Sequence, residues 1–98
     1  MLSNKEKKVL KAAASEEPAV VQIGKLGVTN PLIDSARAAL EARELIKIKV
    51  LNNAGLEVEA TVQELADMLG AELVQVIGHN GVLFKKKKEK SKFAEIKG

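Results

Sequence analysis

Hydrophobic and polar positions along this chain change period several times, and each change marks an element. Val9, Leu10, Ala13 and Ala14 recur at helical spacing behind a Ser3/Glu6 capping-box pattern, which predicts a helix over residues 5–15. Glu16-Glu17-Pro18 ends it, because proline disfavours helical backbone in the residue before it. Residues 19–23 (Ala-Val-Val-Gln-Ile) are short, apolar and partly β-branched, as a buried strand is. After Gly24-Lys25-Leu26-Gly27, Asn30 reads as an N-cap with Pro31 at the favoured first helical position. Leu32, Ile33, Ala36, Ala39 and Leu40 then carry a second helix to about Ala42.

The period next drops to two. Over residues 45–51, Ile46, Ile48 and Val50 share one side, and Lys47 and Lys49 share the other. Asn52-Asn53-Ala54-Gly55 is a turn cluster, and Val58, Val62, Leu65, Ala66 and Leu69 mark a third helix that stops at Gly70. Its start is open between Val58, which continues the apolar stripe, and Thr61, which makes a capping box with Glu64. Residues 73–77 and 82–84 read as strands joined by a hairpin over Gly78-His79-Asn80-Gly81, with Asn80-Gly81 as the turn signal. From Lys85 no periodicity survives. The expected organisation is one domain over residues 1–85 and a solvated, mobile, lysine-rich tail over 86–98. The order α-β-α-β-α-β-β predicts a single α/β domain, with a four-stranded mixed sheet and three helices.

Ninety-eight residues suffice for one core and not two. The absence of cysteine excludes a disulfide framework and a thiolate metal site. Apolar runs are only a few residues long and no apolar segment follows the first lysines, so neither a membrane span nor a secretory signal is expected. The expected location is the cytoplasm. The formal net charge of +3 conceals a polarity: +3 over residues 1–11, −5 over 12–84 and +5 over 85–98. Positive charge gathered at both ends and around one loop points to a polyanionic partner.

The loop Gly24-Lys25-Leu26-Gly27 sits between a strand and a helix start. Two readings fit it: a plain β-to-α turn needing two flexible positions, or a phosphate cradle with Lys25 at its tip and a helix N-terminus behind it. It lacks the spacing of a dinucleotide fingerprint or a nucleotide P-loop, and matches the G-x-x-G loops that clamp nucleic-acid backbone. Lys47 and Lys49 on one strand face, Lys5, Lys8 and Lys11 on one helix face, and Lys85 and Lys86 at the head of the tail are further candidate contacts. Each of these also reads as ordinary solvated surface. His79, the single histidine, reads as an exposed turn residue. No second ligand for a metal, no nucleophile–base pair and no cofactor motif accompany it, so a non-enzyme is expected. Glu57, Glu59, Glu64, Asp67 and Glu72 form an acidic surface that confines a polyanion to the other side. With no Trp or Tyr, and Phe84 and Phe93 as the only aromatics, recognition should rest on backbone phosphates and RNA shape rather than base stacking.

Three segments in this order carry a family resemblance: residues 20–29 around the glycine loop, then Glu44-Leu45-Ile46-Lys47-Ile48-Lys49-Val50, then Val74-Gln75-Val76-Ile77-Gly78 ahead of Val82-Leu83-Phe84-Lys85. The chain resembles a CRM domain, in particular its stand-alone bacterial YhbY-type form, over about residues 2–86. The resemblance implies a fold similar to the C-terminal domain of a bacterial translation initiation factor. It also implies RNA binding and association with precursors of the large ribosomal subunit. It assigns the loop motif to Gly24, Lys25, Leu26 and Gly27, the basic strand to Lys47 and Lys49, and the basic helix to Lys5, Lys8 and Lys11. The lysine tail departs from it, as do Glu16-Glu17, which interrupt positive charge near the loop. The expected function is a monomeric, non-catalytic binder of structured ribosomal RNA in large-subunit assembly, with no small-molecule substrate and no membrane partner. The alternative is a ribosome-associated protein-interaction module that touches RNA only through its tail.

Overall fold

The computed structural model describes residues 2–88, 91–93 and 96, the Asn53 side chain set aside. The elements form in the predicted order: α1 (Asn4–Ala14), β1 (Ala19–Ile23), α2 (Asn30–Arg43), β2 (Leu45–Val50), a 3-10 turn (Asn52–Ala54), α3 (Val58–Leu69), β3 (Glu72–Ile77) and β4 (Asn80–Phe84). Both halves of the Ser3/Glu6 capping box are made, at 2.9 and 3.1 Å. At α2 the cap is Thr29 rather than Asn30. The Thr29 hydroxyl accepts from the Leu32 N–H (3.3 Å), and its extended backbone (φ −99°, ψ 164°) is the one a cap needs, whereas Asn30 is already helical. α3 starts at Val58 because the Glu57 carboxylate accepts from the Ala60 N–H. Thr61 instead donates its hydroxyl back to the Glu57 carbonyl (2.6 Å).

The sheet order is β1-β2-β4-β3, with β1 parallel to β2 and β4 antiparallel to both its neighbours. α2 is the crossover a parallel pair requires. α3 carries the chain past β2 to the far edge, and the β3–β4 hairpin returns to fill the gap. Alternation sorts β2 as expected: Ile46, Ile48 and Val50 are buried under α2 and α3. Leu45, Lys47 and Lys49 face the other side. There α1 packs Leu10 and Ala14 near Leu45, Val74, Val82 and Phe84. α1 therefore covers only the half of that face that holds the start of β2 and the end of β4.

The hairpin turns earlier than Asn80-Gly81 implies. Gly78 (φ 56°) and His79 form the turn, while Asn80 and Gly81 already pair with Ile77 and Val76. A Cβ on Gly81 would lie 2.5 Å from a Val62 methyl, so that glycine serves close packing of α3 on β4 rather than a turn.

The described part of the expected solvated tail is packed instead. Phe93 meets Phe84 edge-on at 5.4 Å and 86°, and Ile96 is buried in the core under α1. Positions 89, 90, 94, 95, 97 and 98 lie outside the described residues. The segment is held by Glu44, the fully buried C-cap of α2, whose φ of 67° is rare outside glycine. Its carboxylate accepts from the N–H groups of Lys87 (3.0 Å) and Lys92 (2.7 Å) and from the Ser91 hydroxyl, and its carbonyl accepts from the Lys85 N–H (2.8 Å). Burial pushes the Glu44 pKa up. The hydrogen bonds from Ser91, Lys87 and Lys92, with the Lys87 charge, outweigh burial and hold it below the usual glutamate value.

Candidate nucleic-acid interface

The glycine loop leaves the C-terminal end of β1 as a closed turn, with the Gly27 N–H donating to the Gly24 carbonyl at 2.9 Å. This places Lys25 and Leu26 at the tip, both exposed, Leu26 to 87%. The two glycines are not equivalent. Gly27 has φ 70°, which L side chains rarely adopt. Gly24 has an ordinary φ, and a Cβ there would only touch Leu51 at a normal 3.7 Å. The fold thus requires glycine at position 27 but not at position 24.

The helix N-terminus behind the loop offers less than its position promises. Of the first four α2 amides, the Leu32 N–H is taken by the Thr29 hydroxyl, Ile33 donates to the Thr29 carbonyl, and Pro31 has no N–H. Only Asn30 keeps a donor there, and Gly27 uses its own to close the turn. At the tip the amides of Lys25 and Leu26 have no acceptor among the described residues, and neither does that of Gly24 at the base of the loop. Any anion at this tip is therefore met by two N–H groups and one ammonium, not by a full cradle.

Sheet register brings further side chains to the same end. Gln22 of β1 is paired with Lys49 of β2, Lys49 with Asn80 of β4, and Asn80 with Ile77 of β3. The four form one row across the sheet on the face that α1 leaves open at this end. Gln22, Lys49 and Ile77 are exposed and Asn80 is half-buried. Lys47 lies one step down, half-buried beside Val82. Lys5, Lys8 and Lys11 are exposed on α1, and with Asn4 and the half-buried Lys7 they line a shallow depression. None of Lys5, Lys8, Lys11, Lys25, Lys47 and Lys49 bonds or ion-pairs with a described residue through its side chain. The exposed acids Glu57, Glu59, Glu64 and Asp67 belong to α3 and its cap, behind the sheet.

Lys85 and Lys86 are not brought to this end. β4 runs from Asn80 at the loop end of the sheet to Phe84, so Lys85 follows about 17 Å away by strand rise. Lys85 Nζ donates to the Leu69 carbonyl at the end of α3 (2.9 Å), and Lys87 Nζ to the Ala42 carbonyl near the end of α2 (3.4 Å). Lys86 Nζ donates to the Ile96 carbonyl (2.7 Å). These lysines, with Arg37, Glu41, Leu40 and Leu69, line a cleft of about 180 Å³, below the ~300 Å³ at which small-molecule sites begin. The acidic pair is equally remote: Glu17 reaches Arg43 at 3.6 Å, at the opposite end of β1 from the loop. The interruption of positive charge beside the loop is not realised. Gln22 was legible from the alternation of β1, whereas Asn80 was hidden by its turn-like Asn-Gly pair.

No helix among the described residues is long and apolar enough to cross a membrane, and no described group of three or more His, Cys, Asp or Glu is placed to hold a metal. A family model described as the CRS1/YhbY (CRM) domain matches residues 2–85. The chain is 39% identical over 89 residues to the Bacillus subtilis protein named "Probable RNA-binding protein YqeI", covering 91% of this chain and 93% of that one. It is 33% identical over 88 residues to an RNA-binding protein of Haemophilus influenzae, covering 90% and 89%. The solution structure of a hypothetical Staphylococcus aureus protein, described as a candidate RNA binder, superposes with a TM-score of 0.71 at 38% identity, covering 98% of this chain and 97% of that one.

Proposed function

The chain belongs to the CRS1/YhbY (CRM) domain family, and from that premise we propose that it is a non-catalytic RNA-binding protein acting on structured ribosomal RNA of the large-subunit precursor. One observation carries the reading: a glycine-closed loop presents Lys25 and two tip amides without acceptors among the described residues, at the open end of a sheet face whose lysines have no described partner. Phosphate oxygens are the ligands such donors fit. Lys49 and Lys47 extend the contact across the sheet, and Lys5, Lys8 and Lys11 extend it over α1. The acids of α3 on the reverse side orient the approach. The ribosomal target and the assembly role follow the family resemblance. The RNA-assembly setting, a cytoplasmic location and a monomeric state belong to the same proposal.

Salt titration tests the contact. With six lysines each meeting a phosphate, the logarithm of affinity for a folded RNA should fall with the logarithm of salt at a slope of about −4 to −5. A flat response would sink the proposal. The tail-only alternative is separated by replacing Lys88, Lys90 and Lys92 with Gln, which keeps Ser91, Phe93 and Ile96. Retained steep binding supports the loop face, and lost binding supports the tail. Crosslinking in extract, followed by mapping of the nucleotides attached to Lys25, tests the ribosomal target.

A further inference from the structure

Resting on the RNA-binding reading above, we infer that the row Gln22–Lys49–Asn80–Ile77 is a base-reading platform for unpaired nucleotides, directly continuous with the phosphate-gripping loop. Phosphate contacts alone would leave this protein blind to sequence. The row supplies what they lack. The Gln22 and Asn80 amides each offer both donors and an acceptor, the pairing set for base edges, and neither makes a side-chain bond to any described residue. Lys49 lies between them in register, so an anionic strand crossing the amides meets a cation midway.

Geometry selects unpaired nucleotides as the occupant. The row crosses all four strands, about 14 Å at ordinary strand spacing. Four-stranded sheets of RNA-recognition domains hold two or three bases on a comparable width. A sheet face cannot enter the deep, narrow major groove of an A-form duplex, and the shallow minor groove is recognised mainly by shape and 2′-hydroxyls, so these amides read sequence where bases are splayed out. The apolar contact that aromatics usually provide falls here to aliphatic groups: Ile77, 63% exposed at one end of the row, and Leu26, 87% exposed on the loop that begins two residues after Gln22. Because α1 packs only over the Leu45–Phe84 half of this face, nothing described covers the row.

The test uses the full chain and a pool of RNA hairpins sharing one stem and carrying randomised four-nucleotide loops, with sequencing of the bound fraction. Wild type should enrich particular bases at one or two adjacent loop positions by about fivefold or more, the lower range of what one amide–base pair discriminates. The Gln22→Ala/Asn80→Ala double variant should flatten that enrichment while total affinity stays within about threefold. Gln22→Thr/Asn80→Ser, which keeps strand-compatible polar side chains, checks that any loss is not one of folding. Lys25→Ala should weaken binding to every pool member alike and leave the enrichment intact. Salt-sensitive binding without base enrichment, or enrichment unchanged in both double variants, overturns the platform and leaves the RNA-binding reading standing. No binding to any pool member at low salt overturns both.

Discussion

The two ends of this sheet both carry lysines, and the lysines do opposite things. At the loop end, Lys25 and Lys49 are exposed and bond to nothing described. At the other end, Lys85, Lys86 and Lys87 point their ammonium groups at the backbone carbonyls of Leu69, Ile96 and Ala42. Two of those carbonyls lie at or near helix C-termini, where a cation also complements the helix dipole. The same side chain is thus an exposed charge without a described partner at one pole and a donor to backbone carbonyls at the other. Counting charge along the chain assigns the greater share of positive potential to the C-terminal segment, while partner geometry assigns the available share to the loop end.

The strongest way to break this contrast is at Glu44, the anchor of the second pole. Glu44→Ala leaves the Lys87 and Lys92 N–H groups and the Ser91 hydroxyl without their acceptor, at a cost of about 3 kcal/mol, which should lower the melting temperature by more than about 10 °C. The carboxylate also makes the latch acid-sensitive. Its folded pKa is depressed, so its stabilisation is complete above the ordinary glutamate value of 4.5 and is lost as pH falls through the lowered folded value. Melting temperatures should be level from about pH 7 to 5 and decline below, with Glu44→Gln removing part of the decline. RNA affinity of Glu44→Ala measured well below its melting point should be close to wild type.

A crossed pair of substitutions gives the next largest effect. Lys25→Ala should reduce RNA affinity about tenfold with an unchanged melting temperature, read by fluorescence anisotropy and calorimetry. Lys85→Met should do the reverse, costing about 0.5–1 kcal/mol of stability and leaving affinity within about twofold. Equal behaviour of the two lysines would erase the distinction. The smallest and sharpest probe is the glycine pair. Gly27→Ala must strain a left-handed residue, at about 1 kcal/mol, whereas Gly24→Ala has space and an ordinary φ and should leave stability unchanged. Weaker RNA binding by stable Gly24→Ala would assign that glycine to close approach of the RNA backbone.

Much of the fold was legible because its signals are local. Ser3 and Glu6 lie one helical turn apart, Ile46 and Lys47 alternate across one strand, and Gly70 follows the stripe it ends. Apart from the α2 cap, which shifts by one residue from Asn30 to Thr29, the misread features turn on contacts distant in sequence. Gly81 is required by Val62 in another element, so its Asn80 neighbour imitated a turn signal. Glu44 meets partners more than 40 positions away, and no window that short of the tail could pair them. Phe93 and Ile96, the apolar anchors of the last segment, are spaced among lysines that dominate any average. The candidate site divides the same way: the loop motif and β2 lysines stand out locally, whereas the Gln22–Lys49–Asn80–Ile77 row exists only once three strand pairings bring it together.

The hydrogen bond that closes the glycine loop also bears on kinetics. A turn already joined from Gly27 to Gly24 has little chain freedom left to lose, so on the proposed function an arriving phosphate would not wait for the loop to order. Association should then be governed by long-range attraction toward the lysines, giving an on-rate that slows steeply with ionic strength, while dissociation reports the contacts made at the tip.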